Sequence, residues 1–256
     1  MSRKLLTLSL TTTLMGGWAY ADTPQVAVDI APVHSLVARV MDGVGTPDLI
    51  IQPGASPHEY SLRPSEAAAL QNANLVFWIG PDLTPWLTDT IKTLAPDAAV
   101  TALMEVDGTI KLEFREGALF EAHAHEDDDD HVDEAHDDHD EEARHDDHDD
   151  EETGHEGHGQ GAHDPHAWLS PQNAMTWLNV IAGQLSAAYP DNAGAYFTNA
   201  AAGRTEMEAL IGEVIATLDP VRDGQFLVFH DAYQYFEMDF DFPASGAISI
   251  GDASDP

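Results

Sequence analysis

Fourteen histidines and no cysteine confine any metal chemistry of this chain to imidazole and carboxylate donors. Ten of the histidines fall between residues 121 and 163, and the other four are His34, His58, His166 and His230. Three of these four sit at element boundaries. His58 lies in Gly54-Ala55-Ser56-Pro57-His58-Glu59-Tyr60, a Gly/Pro-rich loop directly after an apolar strand, where open α/β folds present ligand groups. His166 lies in Asp164-Pro165-His166-Ala167-Trp168-Leu169-Ser170-Pro171, a stiff loop before a helix. His230 ends the apolar strand Phe226 to Phe229 and leads into Asp231-Ala232-Tyr233. Neutral imidazole is a good zinc ligand, and three imidazoles plus one further donor complete a tetrahedral site. Spacings of 108 and 64 residues rule out a zinc-finger clip, so these side chains meet only if the tertiary fold brings them together. Spacing by itself does not separate that case from three unrelated loop histidines. His34, at a strand-to-helix turn, reads as a capping or hydrogen-bonding group rather than a ligand.

The elements that must position these loops alternate. Val26 to Ile30 holds a short strand, and a helix is expected over His34 to Met41. A second strand is expected at Leu49 to Ile51, and Arg63-Pro64-Ser65-Glu66 opens a helix. Leu75 to Ile79 is a continuous apolar run, as in a strand buried on both faces. A helix over Pro85 to Leu94 and a strand over Ala98 to Val106 follow. Strands separated by helices of this length predict an α/β fold with a parallel sheet. Beyond residue 164, Met175, Leu178, Ile181, Leu185 and Ala188 mark a helix over residues 172–189 that Pro190 stops. A longer helical pattern then runs to Leu218, about 40 Å if continuous, enough to cross from one lobe to another. After Pro220 come a strand at Phe226 to Phe229 and a helical segment from about Asp231. Only 36 residues follow Pro220, too few for a lobe matching the first, so the C-terminal lobe is expected to be incomplete in this sequence.

Residues 121–163 differ in kind. From Glu121 to Asp164 there are 21 acids against one base, Arg144, which supplies -20 of the chain's net charge of -36. The segment lacks the apolar groups needed to offset its ordering entropy and is expected to be a disordered insertion. His123, His125, His131, His136, His139, His145, His148, His155, His158 and His163 would provide weak auxiliary zinc sites there, loading and exchanging quickly. Ligands must be deprotonated, so that weak binding should fade as pH falls through about 6.5. Nucleic acid and anionic lipid are poor partners for so acidic a chain.

The N-terminus carries Arg3 and Lys4, an apolar stretch from Leu5 to Met15, and Ala19-Tyr20-Ala21 as a small-x-small cleavage site. Residues 1–21 therefore read as a secretory signal peptide, leaving a mature chain with no membrane span in an envelope compartment, which the family resemblance below narrows to the periplasm.

Taken together, Gly54 to Ser65, Asp164 to Pro171 and Phe229-His230-Asp231-Ala232-Tyr233-Gln234-Tyr235-Phe236 resemble, in order, the three metal-loop motifs of the cluster A-I (cluster 9) solute-binding proteins of ABC transporters. The similarity spans Val26 to about Phe240 apart from the acidic insertion, and the subgroup resembled is the zinc-specific one. The resemblance implies two α/β lobes joined by one rigid helix, with the metal in the cleft between them. Residues 22–190 would form the N-terminal lobe around the insertion, residues 191–218 the linker helix, and residues 219–256 the start of the C-terminal lobe. It implies His58, His166 and His230 as ligands to Zn2+, no catalysis, delivery to an inner-membrane ABC permease, and action as a monomer. Manganese-binding relatives tend to replace one imidazole with a carboxylate, whereas all three positions here are His. Some zinc members place an acidic ligand before the first His; Pro57 occupies that position here. The fourth donor is left open between water, a late C-terminal carboxylate and Glu59. Asp164 is expected to orient its loop or to accept from an imidazole N–H, and Trp168 to pack the loop. A periplasmic zinc buffer or chaperone, a manganese-binding member of the family and a zinc hydrolase are the competing functions; the last lacks a His-Glu-x-x-His helix.

Overall fold

The computed structural model describes residues 24–115 and 163–249. The expected signal peptide, and the acidic stretch with nine of its ten candidate histidines, lie outside the described residues. The N-terminal portion is a four-stranded, all-parallel sheet in the order β2-β1-β3-β4, with β1 at Val26–Val28, β2 at Asp48–Leu49, β3 at Leu75–Trp78 and β4 at Ala99–Ala102. Burial follows position in the sheet. The central strands β1 and β3 are buried at every residue, whereas the edge strands β2 and β4 are not. The apolar run at Leu75 is continuous because helices cover both faces there.

Helix α1 spans Ala31–Val40, α2 Pro64–Asn72 and α3 Pro85–Leu94, each with a proline in its first turn, where a missing N–H costs nothing. Val33, Val37 and Val40 form the buried stripe of α1. This helix begins three residues before His34, because Pro32 starts it. His34 is thus inside the helix, and its Nε2 lies 3.0 Å from the Pro47 carbonyl oxygen. The expected strand over Ala98 to Val106 is shorter than its apolar pattern, since Leu103–Glu105 tightens into a 3-10 turn. The β2 ladder continues past its assigned end through Ile50 N–H to Val28 O and Ile51 N–H to Asp29 O, both 2.8 Å, so the expected run to Ile51 is extended in practice.

Helix α4 (Pro171–Ala188) buries Trp177, Leu178, Ile181, Ala182 and Leu185 in the main core. Helix α5 (Ala193–Leu218) is 26 residues long, about 39 Å, and buries Tyr196, Ala200 and Gly203 only in its first half. A Cβ at Gly203 would stand 3.1 Å from Leu178 Cδ1, and this absence of a side chain lets α5 lie close on α4. Beyond α5, β5 (Val228–His230) pairs in parallel with β6 (Ala247–Ser249), and α6 (Gln234–Phe240) lies between them in sequence. Val228, Ala244 and Ala247 form a small apolar cluster with Phe226, separate from the main core. The fold is thus α/β, with two parallel sheets and a long helix between them in sequence. The second β-α-β unit begins two residues later at its strand, and three later at its helix, than the sequence pattern suggested. Among the described residues, no helix is long and apolar enough to cross a membrane.

Asp29 fastens β1 to β3 at their carboxyl ends. It is 1% exposed, and its two carboxyl oxygens accept from Ile30 N–H and Ile79 N–H, both at 2.7 Å. Burial pushes this carboxyl up to about 7, against the lowering effect of those two donors. The folded state therefore favours the protonated form. Its contribution is complete below about pH 4 and is lost as pH rises to about 7. Asp29→Asn would turn an amide N–H toward a backbone N–H and should cost about 2 kcal/mol. Urea denaturation across pH 4 to 8 should show a lower midpoint at each pH and a flatter pH dependence than the parent; equal slopes would contradict this account.

Candidate metal centre

The loop bearing His58 leaves the sheet after Ile51 and turns at Gly54, whose φ of +86° suits a residue without a Cβ. Three contacts then hold it. Trp86 Nε1–H donates to the Pro57 carbonyl (2.9 Å), Tyr60 O–H donates to Glu66 Oε1 (2.9 Å), and Arg63 N–H donates to Glu66 Oε2 (2.7 Å). Glu66 thus caps α2 and secures the far end of the loop at once. His58 is half-buried and its neighbour Glu59 is exposed.

His166 is 3% exposed, and Asp164 holds both its backbone N–H and its ring. Asp164 Oδ1 accepts from the His166 backbone N–H at 2.9 Å and lies 2.7 Å from His166 Nδ1. A carboxylate only accepts, so Nδ1 carries a proton, and in the neutral ring this leaves Nε2 as the lone-pair nitrogen, the tautomer a metal requires. Asp164 therefore does both things expected of it. The Trp168 ring lies 5.2 Å from the imidazole. Residues 167–169 form one 3-10 turn, closed by Asn173, whose Nδ2 donates to the Ala167 and Ile110 carbonyls, both at 3.1 Å, and whose Oδ1 accepts from Ile110 N–H at 2.7 Å. Ser170 Oγ accepts from Asn173 N–H at 3.2 Å, capping α4, and donates to Asp239 Oδ2 on α6 at 2.6 Å.

His230 is the last residue of β5. The three imidazoles gather here: the His166 ring centroid is 6.1 Å from that of His58 and 5.6 Å from that of His230. Two imidazoles on one tetrahedral zinc would have centroids about 5 Å apart. Among the described residues, no group of three or more His, Asp or Glu is already drawn in to hold a metal ion. The rings are brought together but stand slightly wide, by a distance that small side-chain and loop movements can close. His163, the one described member of the auxiliary set, is half-buried beside this loop, and His34 remains with Pro47.

Two residues outside the expected ligand set frame the site. Tyr235 is fully buried; its oxygen accepts from Leu112 N–H (2.9 Å) and its O–H donates to the Asp164 carbonyl (2.8 Å). Burial pushes this phenol up to about 12. Arg115 reaches Asp231, beside His230, through Nε at 3.0 Å and through a second contact to the other carboxylate oxygen. It also reaches Glu237 on α6 at 2.8 and 3.1 Å. Burial opposes the charge of this guanidinium, but the bonds to Glu237 and Asp231 outweigh it and hold its pKa above the ordinary value.

The family model for the periplasmic component A of zinc-uptake complexes, ZnuA, matches residues 26–256. The high-affinity zinc uptake system protein ZnuA of Brucella abortus (strain 2308) is 45% identical over 231 residues, covering 90% of this chain and 69% of the relative. The protein of the same name from Paracoccus denitrificans (strain Pd 1222) is 42% identical over 238 residues, covering 93% and 70%. Among solved structures, a zinc-bound ZnuA deletion mutant superposes with a TM-score of 0.67 at 22% identity, covering 90% of this chain and 71% of that one, a likeness of fold.

Proposed function

Because the chain belongs to the ZnuA family of periplasmic zinc-uptake components, we propose that it captures one zinc ion between His58, His166 and His230 and hands it to an inner-membrane ABC permease. It is a transport component rather than an enzyme, and zinc is its cargo. One observation supports this ligand set above others: three imidazoles from loops 108 and 64 residues apart in sequence stand with ring centroids 6.1 and 5.6 Å apart. Nitrogen donors in that number favour zinc over manganese, which suits carboxylates. A fourth donor, from solvent or from a carboxylate, completes the tetrahedron. Residues 1–21 act as the export signal, and the mature chain works as a monomer.

Chelator competition with the purified chain tests the site. Each of His58→Ala, His166→Ala and His230→Ala should weaken the tight 1:1 zinc site, and unchanged affinity in all three would end this reading. Asp164→Asn keeps the shape of the loop but loses the charged acceptor for Nδ1–H, and should cost about 10- to 100-fold in zinc affinity. Removing residues 121–163 should lower the number of zinc ions bound at saturation while sparing the tight site. A titration in which the deletion abolished that site instead would move the principal ligands into the acidic segment. Growth in zinc-poor medium, with and without the gene, separates uptake from mere buffering.

A further inference from the structure

His166 and His230 are joined by polar links that do not pass through a metal. His166 is fixed by Asp164, whose carbonyl accepts from Tyr235 of α6. Two residues further on, Glu237 of the same helix holds Arg115, and Arg115 forks onto Asp231, next to His230. Arg115 and Asp164 are also the two flanks of one stem, since Asp164 N–H donates to the Leu112 carbonyl at 2.8 Å. The guanidinium is 21% exposed, and Glu237 and Asp231 are 5% and 15% exposed, so this is a sheltered three-charge cluster rather than a surface pair. Glu237 uses its remaining capacity on Ala244 N–H at 3.1 Å, which ties the cluster to the segment entering β6. The fork needs a planar, five-donor group, and an ammonium at the same place could not satisfy both carboxylates in the same way.

We infer that Arg115 is a positioning residue for zinc binding: by clamping Asp231 and Glu237 it holds the His230 loop in register with His166 across the cleft. This rests on His230 being a ligand. It assigns to the stem a task that the metal loops themselves do not perform. Without the clamp, Asp231 and Glu237 lose their common tie to the stem, and the third imidazole must be ordered at the moment of binding.

A double-mutant cycle in the full chain, read by zinc affinity in chelator competition, tests it. Arg115→Met keeps the aliphatic bulk and should weaken the tight site about 10- to 100-fold with 1:1 stoichiometry retained. In the His230→Ala background the same change should cost less than about threefold, because the residue it positions is gone. The visible bands of the cobalt-substituted protein should change in Arg115→Met, and Arg115→Lys should recover only part of the affinity. Equal costs of Arg115→Met in both backgrounds, or unaltered affinity and cobalt bands with only a lowered melting temperature, would overturn the inference and leave the ligand reading standing. Unchanged affinity in His230→Ala alone would overturn both. If Arg115→Met does not fold, the cycle is run with Asp231→Asn, for which the same outcomes decide.

Discussion

His166→Ala should reduce zinc affinity more than any other single change, by about 100- to 1,000-fold. Structural zinc sites bind with about 10–16 kcal/mol shared over four ligands, so one ligand is worth about 2.5–4 kcal/mol. His166 stands above its two partners for a structural reason. It is the middle ring of the three, it is 3% exposed, and its orientation is set in advance by Asp164 and Trp168. Pre-ordering means that little is spent on fixing the ring when metal arrives. His58 is half-buried, on a loop held chiefly through Pro57 and Tyr60, and its replacement should cost less. The check is a competition titration of the three variants side by side, with circular dichroism showing that each is folded. A ranking with His166→Ala the mildest would contradict the pre-ordering account.

Tyr235→Phe should destabilise the protein by about 3 kcal/mol while leaving its shape intact. The ring stays, so packing is unchanged; only the oxygen is lost. That oxygen, on a fully buried side chain, satisfies one backbone donor, the N–H of the half-buried Leu112, and one backbone acceptor, the buried Asp164 carbonyl. Each orphaned group costs about 1–3 kcal/mol. Chemical denaturation of the metal-free protein measures the loss. A change below about 1 kcal/mol would show that the hydroxyl is not the bridge between α6 and the stem.

Much of the fold was readable because the deciding signals are local. Proline at the start of α2 and α3, the apolar run at Leu75 and the 3.6-residue pattern of α4 and α5 each depend on residues close in sequence. Two boundaries differ, the first through tertiary context and the second through a local proline. The edge strand β4 stops early, and α1 starts at Ala31 because Pro32, not the apolar pattern, sets its origin. The three histidines could be singled out because Gly, Pro and aromatic residues mark their loops. Their distances apart could not, because nothing in a spacing of 108 residues says that two rings will lie 6.1 Å apart. Arg115 was invisible for a related reason: its carboxylate partners are 116 and 122 residues downstream. Tyr235 lay within the third motif, but its role depends on Leu112 and Asp164, which only the folded chain brings to its hydroxyl.

The hydrogen bond between Asp164 N–H and the Leu112 carbonyl has a consequence for how such a chain can change over time. Leu112 and Asp164 bring the described residues on either side of the acidic stretch together at one narrow neck. For a flexible connection between two such fixed ends, doubling the length adds only about 0.6 kcal/mol. A neck closed in this way lets chain length vary between Arg115 and His163 without retuning the strands and helices it joins.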